Sequence, residues 1–200
     1  MTFLLSEDKA MRLNLQGMVV HDQRATGDEA PRQVAVFFGQ PDQELRAQSY
    51  PYITIDMIDI NRDLTREMRG VVNQNVLNTG YLSPAEVPEG GGWEITLPIP
   101  VNIDYQITTY ARQPRHDREL LAQLLYERLP LRFGQLSLDD NTVRRLEVMD
   151  YSKRDITEQA KRLFVNAVTV RVTSEVSQGT LYTLTQVQAV EVAPLQTTNS

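Results

Sequence analysis

Cysteine is absent from the chain, which excludes a disulfide framework and thiolate metal sites, so stability must come from burial or from association with other chains. Histidine occurs only twice, as His21 and His116, each followed by aspartate. A zinc site needs more nitrogen or sulfur ligands than that, so no metal site is expected and both histidines are read as solvated surface residues. Long apolar runs are also missing: the opening residues, Met1-Thr2-Phe3-Leu4-Leu5, offer no basic region and only a short apolar run, giving neither a signal peptide nor a membrane anchor.

Motifs of chemistry are lacking too. Gly90-Gly91-Gly92 is followed by Trp93-Glu94, without the lysine and hydroxyl that a phosphate loop requires, so it reads as a flexible joint. No Gly-x-Ser-x-Gly elbow occurs. Asp56, Asp59 and Asp63 resemble an acidic cluster, but on an unbulged strand Asp56 and Asp59 face opposite ways, whereas paired-carboxylate catalysis needs both groups at one bond. No catalytic residue and no cofactor are expected, and the chain is read as a non-enzyme.

What remains is enough for a core. Two hundred residues, 41% of them hydrophobic, suit one α+β domain over residues 1–192, with an arm inserted at about 63–92 and a flexible tail at 193–200. The net charge of -6 is uneven: residues 1–100 carry 8 basic and 14 acidic side chains, and residues 101–200 carry 12 of each. Such a chain does not hold nucleic acid by phosphate neutralisation. Its cations include only three lysines, Lys9, Lys153 and Lys161. The arginine excess suits bidentate pairing at protein interfaces, although a genome rich in G and C gives the same bias.

Ser6 serves as an N-cap, with Glu7 and Asp8 in the first turn and Met11, Leu13 and Leu15 as the apolar face of a helix ended by Gly17. Met18 to Val20 either extends that helix or begins a strand, and 21–31 is a loop. Arg32 to Phe38 alternates Val34, Val36 and Phe38 against Gln33, Ala35 and Phe37. In Tyr52 to Ile60 the inward set shifts from Ile53, Ile55 and Met57 to Ile58 and Ile60, which calls for a bulge or for cover on both faces. Within 63–92, Val71 to Leu77 forms one arm of a projecting hairpin. Short strands flank Asp139-Asp140-Asn141, the second over Thr142 to Met149. Residues 150–160 connect to a long strand from Leu163 to Val176. Gln178-Gly179 then turns the chain back through Leu181 to Val192.

The strongest pattern runs from Pro98 to Leu129. Ile99, Val101, Ile103, Tyr105 and Ile107 share one strand face, with Asn102, Asp104, Gln106 and Thr108 on the other. Pro114 opens a helix in which Leu120, Leu121, Leu124, Leu125 and Leu129 recur at helical spacing. The two together give an α+β fold, a mainly antiparallel sheet with one or two helices packed on it and extended arms. Arg112, Arg115 and Arg118 crowd the positive end of this helix, where cations are disfavoured without acidic neighbours. They are the candidate subunit or partner interface; otherwise they form a solvated turn balanced by Asp117 and Glu119. Arg144-Arg145, Lys153-Arg154 and Lys161-Arg162 are read as solvent-facing.

The order of these elements, with Ile99-Pro100-Val101-Asn102-Ile103-Asp104-Tyr105-Gln106-Ile107 leading into an arginine-flanked helix that ends Arg128-Leu129-Pro130, resembles the tail terminator or tail-completion (neck) proteins of contractile-tailed bacteriophages. That resemblance implies a hexameric ring capping the tail tube, with tube, sheath and neck or connector proteins as partners. It further implies DNA that only passes through the channel, a place in the virion after assembly in the host cytoplasm, and no catalytic residues. A head-completion or baseplate protein would present the same pattern. A small ligand-binding α+β domain, its pocket lined by Tyr105, Tyr110 and Trp93, is the alternative of a different class.

Overall fold

The computed structural model describes residues 3–23, 29–41, 50–75, 92–139, 141–158, 161–176 and 181–184. They fall into two compact units, residues 1–65 with 100–176, and residues 66–99 with 177–200.

In the first unit, α1 (Leu5–Leu15) is followed by a hairpin of β1 (Val19–Gln23) and β2 (Glu29–Gln33). β3 (Ala35–Phe38) and β4 (Tyr52–Arg62) pair in parallel. β4 also runs antiparallel to β7 (Ile99–Ala111), and β7 leads into α2 (Pro114–Gln123). A π-helical turn over Leu124–Arg128 extends α2. β8 (Gly134–Ser137), β9 (Val143–Lys153), β10 (Ile156–Glu158) and β11 (Lys161–Val176) complete a sheet of order β3-β4-β7-β11-β9-β8, with β10 paired to β11. The second unit holds β5 (Val71–Asn75), β6 (Gly92–Thr96) and β12 (Leu181–Leu184), in the order β12-β6-β5.

The fold is α+β, as the alternating and helical patterns predict, with both helices on one sheet face. Ile53, Ile55, Ile103, Tyr105, Ile107, Val168, Val170 and Val172 project there and close with Met11, Leu15, Leu120, Leu124 and Leu129 into one core. Fully burying side chains of this size contributes about 1.5–3 kcal/mol each relative to exposure. The π turn lets the last of the leucines reach the core: Leu129 N–H donates to Leu124 O at 2.7 Å, and residues bonded five apart stack over one another as residues four apart do in an α-helix. A smaller cluster of Tyr50, Tyr52, Leu163 and Val165, with Phe37 and Tyr110 against it, covers one end of the opposite face.

First-turn acids fasten each helix to the sheet. Glu7, buried, accepts a bond from Leu4 N–H and another from Ser174 Oγ, while Asp8 accepts the Tyr105 hydroxyl at 2.7 Å. On α2, buried Asp117 accepts from Asn166 Nδ2 at 2.6 Å and from Lys153 Nζ at 2.6 Å, and Asn166 also donates to Thr109 Oγ1. These acids are therefore doubly placed, favoured by the helix dipole and paired with polar strand residues.

Several expectations change. The cap of α1 is Leu4, with φ of 73°, not Ser6, because Glu7 reaches back to its N–H. Leu13 points to solvent. Residues 21–23 and 29–31 belong to strands, and 32–38 breaks at Val34 into two sheets; Phe38 is exposed while Phe37 packs edge-on to Tyr52. β9 continues past Met149 to Lys153. β12 pairs with β6, and Gln178-Gly179, 185–192 and 193–200 lie outside the described residues. Of the expected Val71 to Leu77 arm, Val71–Asn75 pairs as β5 with β6, and residues 76–77 lie outside the described residues. Among the described residues no helix is long and apolar enough to cross a membrane.

Candidate functional site

The far half of β4 departs furthest from the sequence pattern. A bulge lies between Met57 and Asp59, as the shifted alternation predicts, yet Met57, Ile58 and Ile60 are exposed, Ile58 by 54%. The inward shift does not bury them: β3 ends at Phe38, opposite Ile55, so residues 56–62 have no strand neighbour on that edge among the described residues. The bulge also puts Asp56 opposite Gln106 and Asp59 opposite Asp104, so the two acids share a face, contrary to the unbulged expectation. Asp59 is occupied locally, accepting from Ile60 N–H and Asn61 Nδ2, and Asp63 accepts from Thr65 and Asn102. Among the described residues no three potential ligands gather as a metal site requires.

Nearby on that face, Arg171 on β11 grips Asp104 on β7 through two bonds of 2.8 Å. The hydrogen bond to Asp104 holds the guanidinium above its ordinary range, against the opposing effect of burial. With Asn166 meeting Thr109, the pair shows that β7 and β11 run antiparallel.

The arginine trio separates into three environments. Arg112 stacks over the Tyr50 ring at 4.3 Å from its centroid. Arg115 Nε donates to Glu119 Oε1 at 2.7 Å, an i,i+4 pair. Burial works to raise Glu119, but the bonds from Arg115 and from His21 N–H outweigh it and hold the carboxyl below its usual range. Arg118 is exposed and meets no carboxylate among the described residues. It borders an open depression of about 570 Å³ lined with Leu121, Ala122, Leu125 and Tyr126. Tyr126 is 87% exposed. The leucine stripe thus divides: Leu120, Leu124 and Leu129 are buried in the core, Leu125 packs against it from the rim of this depression, and Leu121 lines the depression.

The solvated-turn expectation fails for two neighbours. His116 is buried, its Nε2 standing 2.8 Å from Asp22 Oδ1, with Arg32 on the other oxygen of that carboxylate. Asp117 turns inward as described. His21 remains 41% exposed, 3.5 Å from Glu119. Of the dibasic pairs, Arg145 is exposed, while Arg144 is mostly covered beside Glu175 and Lys153 is committed to Asp117.

The aromatic pocket does not assemble. Tyr105 lies in the helix-covered core and Tyr110 on the opposite face, stacked on Tyr52 at 4.7 Å; the Trp93 side chain lies outside the described residues. A shallow groove of about 340 Å³ does cross that face beside Tyr110, between Gln40, Thr108, Arg154 and Val165. Sequence periodicity missed the split leucine stripe, and its only signal was a run of five leucine positions wider than one core-facing stripe needs.

No protein-family model and no curated protein matches the chain. Among solved structures it is similar to the sheath/tube terminator of an extracellular contractile injection system, PVC, in the extended state. That alignment covers 98% of this chain at 19% identity, with a TM-score of 0.46. The chain spans 65% of that protein's length.

Proposed function

We propose that the chain is a structural, non-catalytic subunit that terminates a contractile tail. In this reading its copies form a ring, hexameric as in the proteins its sequence resembles, which caps the tube and meets the neck, and any DNA slides through a channel whose acidic lining repels it. The protein it aligns with is described as a terminator of sheath and tube; for this chain those two partners are part of the proposal.

The observation that carries the reading is the strand-turn-helix segment from Pro98 to Pro130. It bears the sequence resemblance, builds the core, and lines an open depression on α2 with Leu121, Leu125 and Tyr126, of which Leu125 also packs against the core and Tyr126 is exposed. Exposed apolar patches rimmed by charge mark interaction surfaces. The experiment is to mix purified chain with tail tubes and view them by negative-stain microscopy, with mass photometry of the chain alone. Rings at one tube end are expected. Decoration of capsids or baseplates instead would support the other connector class, and a monomer that binds no tube would end the reading.

A further inference from the structure

The open depression on α2 and its π turn is complementary to itself. Arg118, Ala122 and Tyr126 follow one another at four-residue spacing and are exposed, with half-buried Leu121 and Leu125 alongside, and all five line it. Neither Arg118 nor Tyr126 has an ion-pair, hydrogen-bonding or ring partner among the described residues. A half-turn about Ala122 exchanges their places, because each lies four residues from it, about 6 Å along the axis at about 1.5 Å per residue. The Arg118 side chains of the two copies are then set about 12 Å apart along the seam and do not oppose each other.

We infer that α2 of one copy packs antiparallel on α2 of a second, with the two-fold axis at Ala122, Leu121 and Leu125 forming the apolar centre, and Arg118 of each copy lying over the Tyr126 ring of the other. A guanidinium over a tyrosine face is attracted by the electron-rich ring, more strongly as water leaves. Arg118 gains from this, since it stands near the positive end of α2, where a cation is disfavoured. Exposed Glu127, next to Tyr126 and without an ion-pair partner among the described residues, adds a carboxylate at the rim where the other copy's Arg118 arrives. The small side chain at position 122 suits the crossing point: helix axes about 8–10 Å apart leave Cα atoms on a radius of about 2.3 Å only about 3–5 Å from each other. An isologous contact closes after two copies, so it differs from the repeating contact of a ring and goes beyond the ring reading: it pairs free subunits or links one ring to another.

The test uses the full chain. Because the chain has no cysteine, Ala122→Cys supplies a single thiol, and a two-fold contact centred there sets that thiol against its own copy. Under a mild oxidant, Ala122→Cys should cross-link to a dimer at least about tenfold faster than Gln135→Cys, at an exposed position on β8, since thiols held as neighbours need no chance collision. In sedimentation velocity, Arg118→Gln and Tyr126→Leu should each weaken the dimer about tenfold, two equivalent contacts being lost at once. Tyr126→Phe, which keeps the ring, should dimerise like the parent, and Ala122→Glu should stay monomeric. Circular dichroism matching the parent establishes that each variant folds. Cross-linking no faster than at position 135, or parent-like dimers from Arg118→Gln and Tyr126→Leu, overturns the inference. Loss of tube binding in Ala122→Glu with no such dimer in the parent overturns it in favour of a tail partner on the same stripe. A parent chain that forms rings on tubes without pairing through α2 leaves the ring reading standing alone, and a parent dimer that binds no tube leaves this inference standing alone.

Discussion

The hydroxyl of Tyr105, at the centre of β7, donates to Asp8 in the first turn of α1 across 2.7 Å, although 97 residues separate them. The bond ties the first helix to the middle of the sheet. Burial, followed by the hydrogen bond and the nearby Asp8 and Glu7 charges, pushes the phenol far above its ordinary range.

Removing that hydroxyl with Tyr105→Phe should therefore cost about 1–2 kcal/mol, the loss of a bond to a charged acceptor in a buried site. Urea denaturation at pH 7 measures it. The sign of the alkaline dependence follows. The unfolded tyrosine ionises near pH 10 while the folded one stays neutral, so stability is full below about pH 10 and falls above it. In Tyr105→Phe this part of the alkaline loss should disappear; identical slopes for both proteins above pH 10 would contradict the assignment.

At the acid end, Glu119 and Asp155 act in the opposite sense. Burial works to raise both, but the Arg115 and His21 bonds hold Glu119 down, and Arg162, Val165 N–H and Lys153 hold Asp155 down. A depressed carboxyl contributes stability above its unfolded value, about pH 4, that is lost as the pH falls through the folded one. Melting temperatures between pH 6 and pH 2.5 should drop, less steeply in Glu119→Gln. The effect is expected to be modest, since both groups are near solvent and screened.

Asp117→Ala should be more damaging than any surface change. It strips the acceptor from Asn166 and from Lys153 at once, leaving a buried amide short of a partner. A loss of about 2–4 kcal/mol is expected, read from the urea midpoint. Lys153→Ala, whose ammonium is half exposed, should cost clearly less. Equal effects would mean that the ion pair, not the buried amide, holds α2 in place.

Gly134→Ala tests the closeness of β8 to β9. A methyl group there would stand 2.7 Å from the Leu146 carbonyl oxygen and 2.9 Å from its Cδ2. Backbone cannot yield as a flexible side chain does, so about 1–3 kcal/mol of destabilisation is expected. A melting temperature equal to the parent's would show that β8 moves aside freely.

Much of the scaffold was legible without coordinates because its signals are local. Period-2 alternation in 99–107, Pro114 at the helix start and the shifted apolar set around Ile58 each predict what the backbone does there, and the strand, the helix and the bulge all form. Less was legible at the candidate surfaces. Nothing in the spacing of Asp117 and Asn166 announces a bond between residues 49 apart, and the three arginines look equivalent in sequence although Arg112 stacks on a tyrosine ring, Arg115 pairs with a carboxylate and Arg118 has neither among the described residues.

The sequence by itself determined which segments become strands and helices and which residues are apolar enough to need cover, since both depend on neighbours one to five positions away. Tertiary structure decided which of those residues receive cover. β3 stops at Phe38, the π turn rotates Leu129 into the core, and the width of two helices shields only part of the sheet. Burial is settled by long-range packing, and so the apolar side chains left on α2 and β4 could be identified only after the chain had folded.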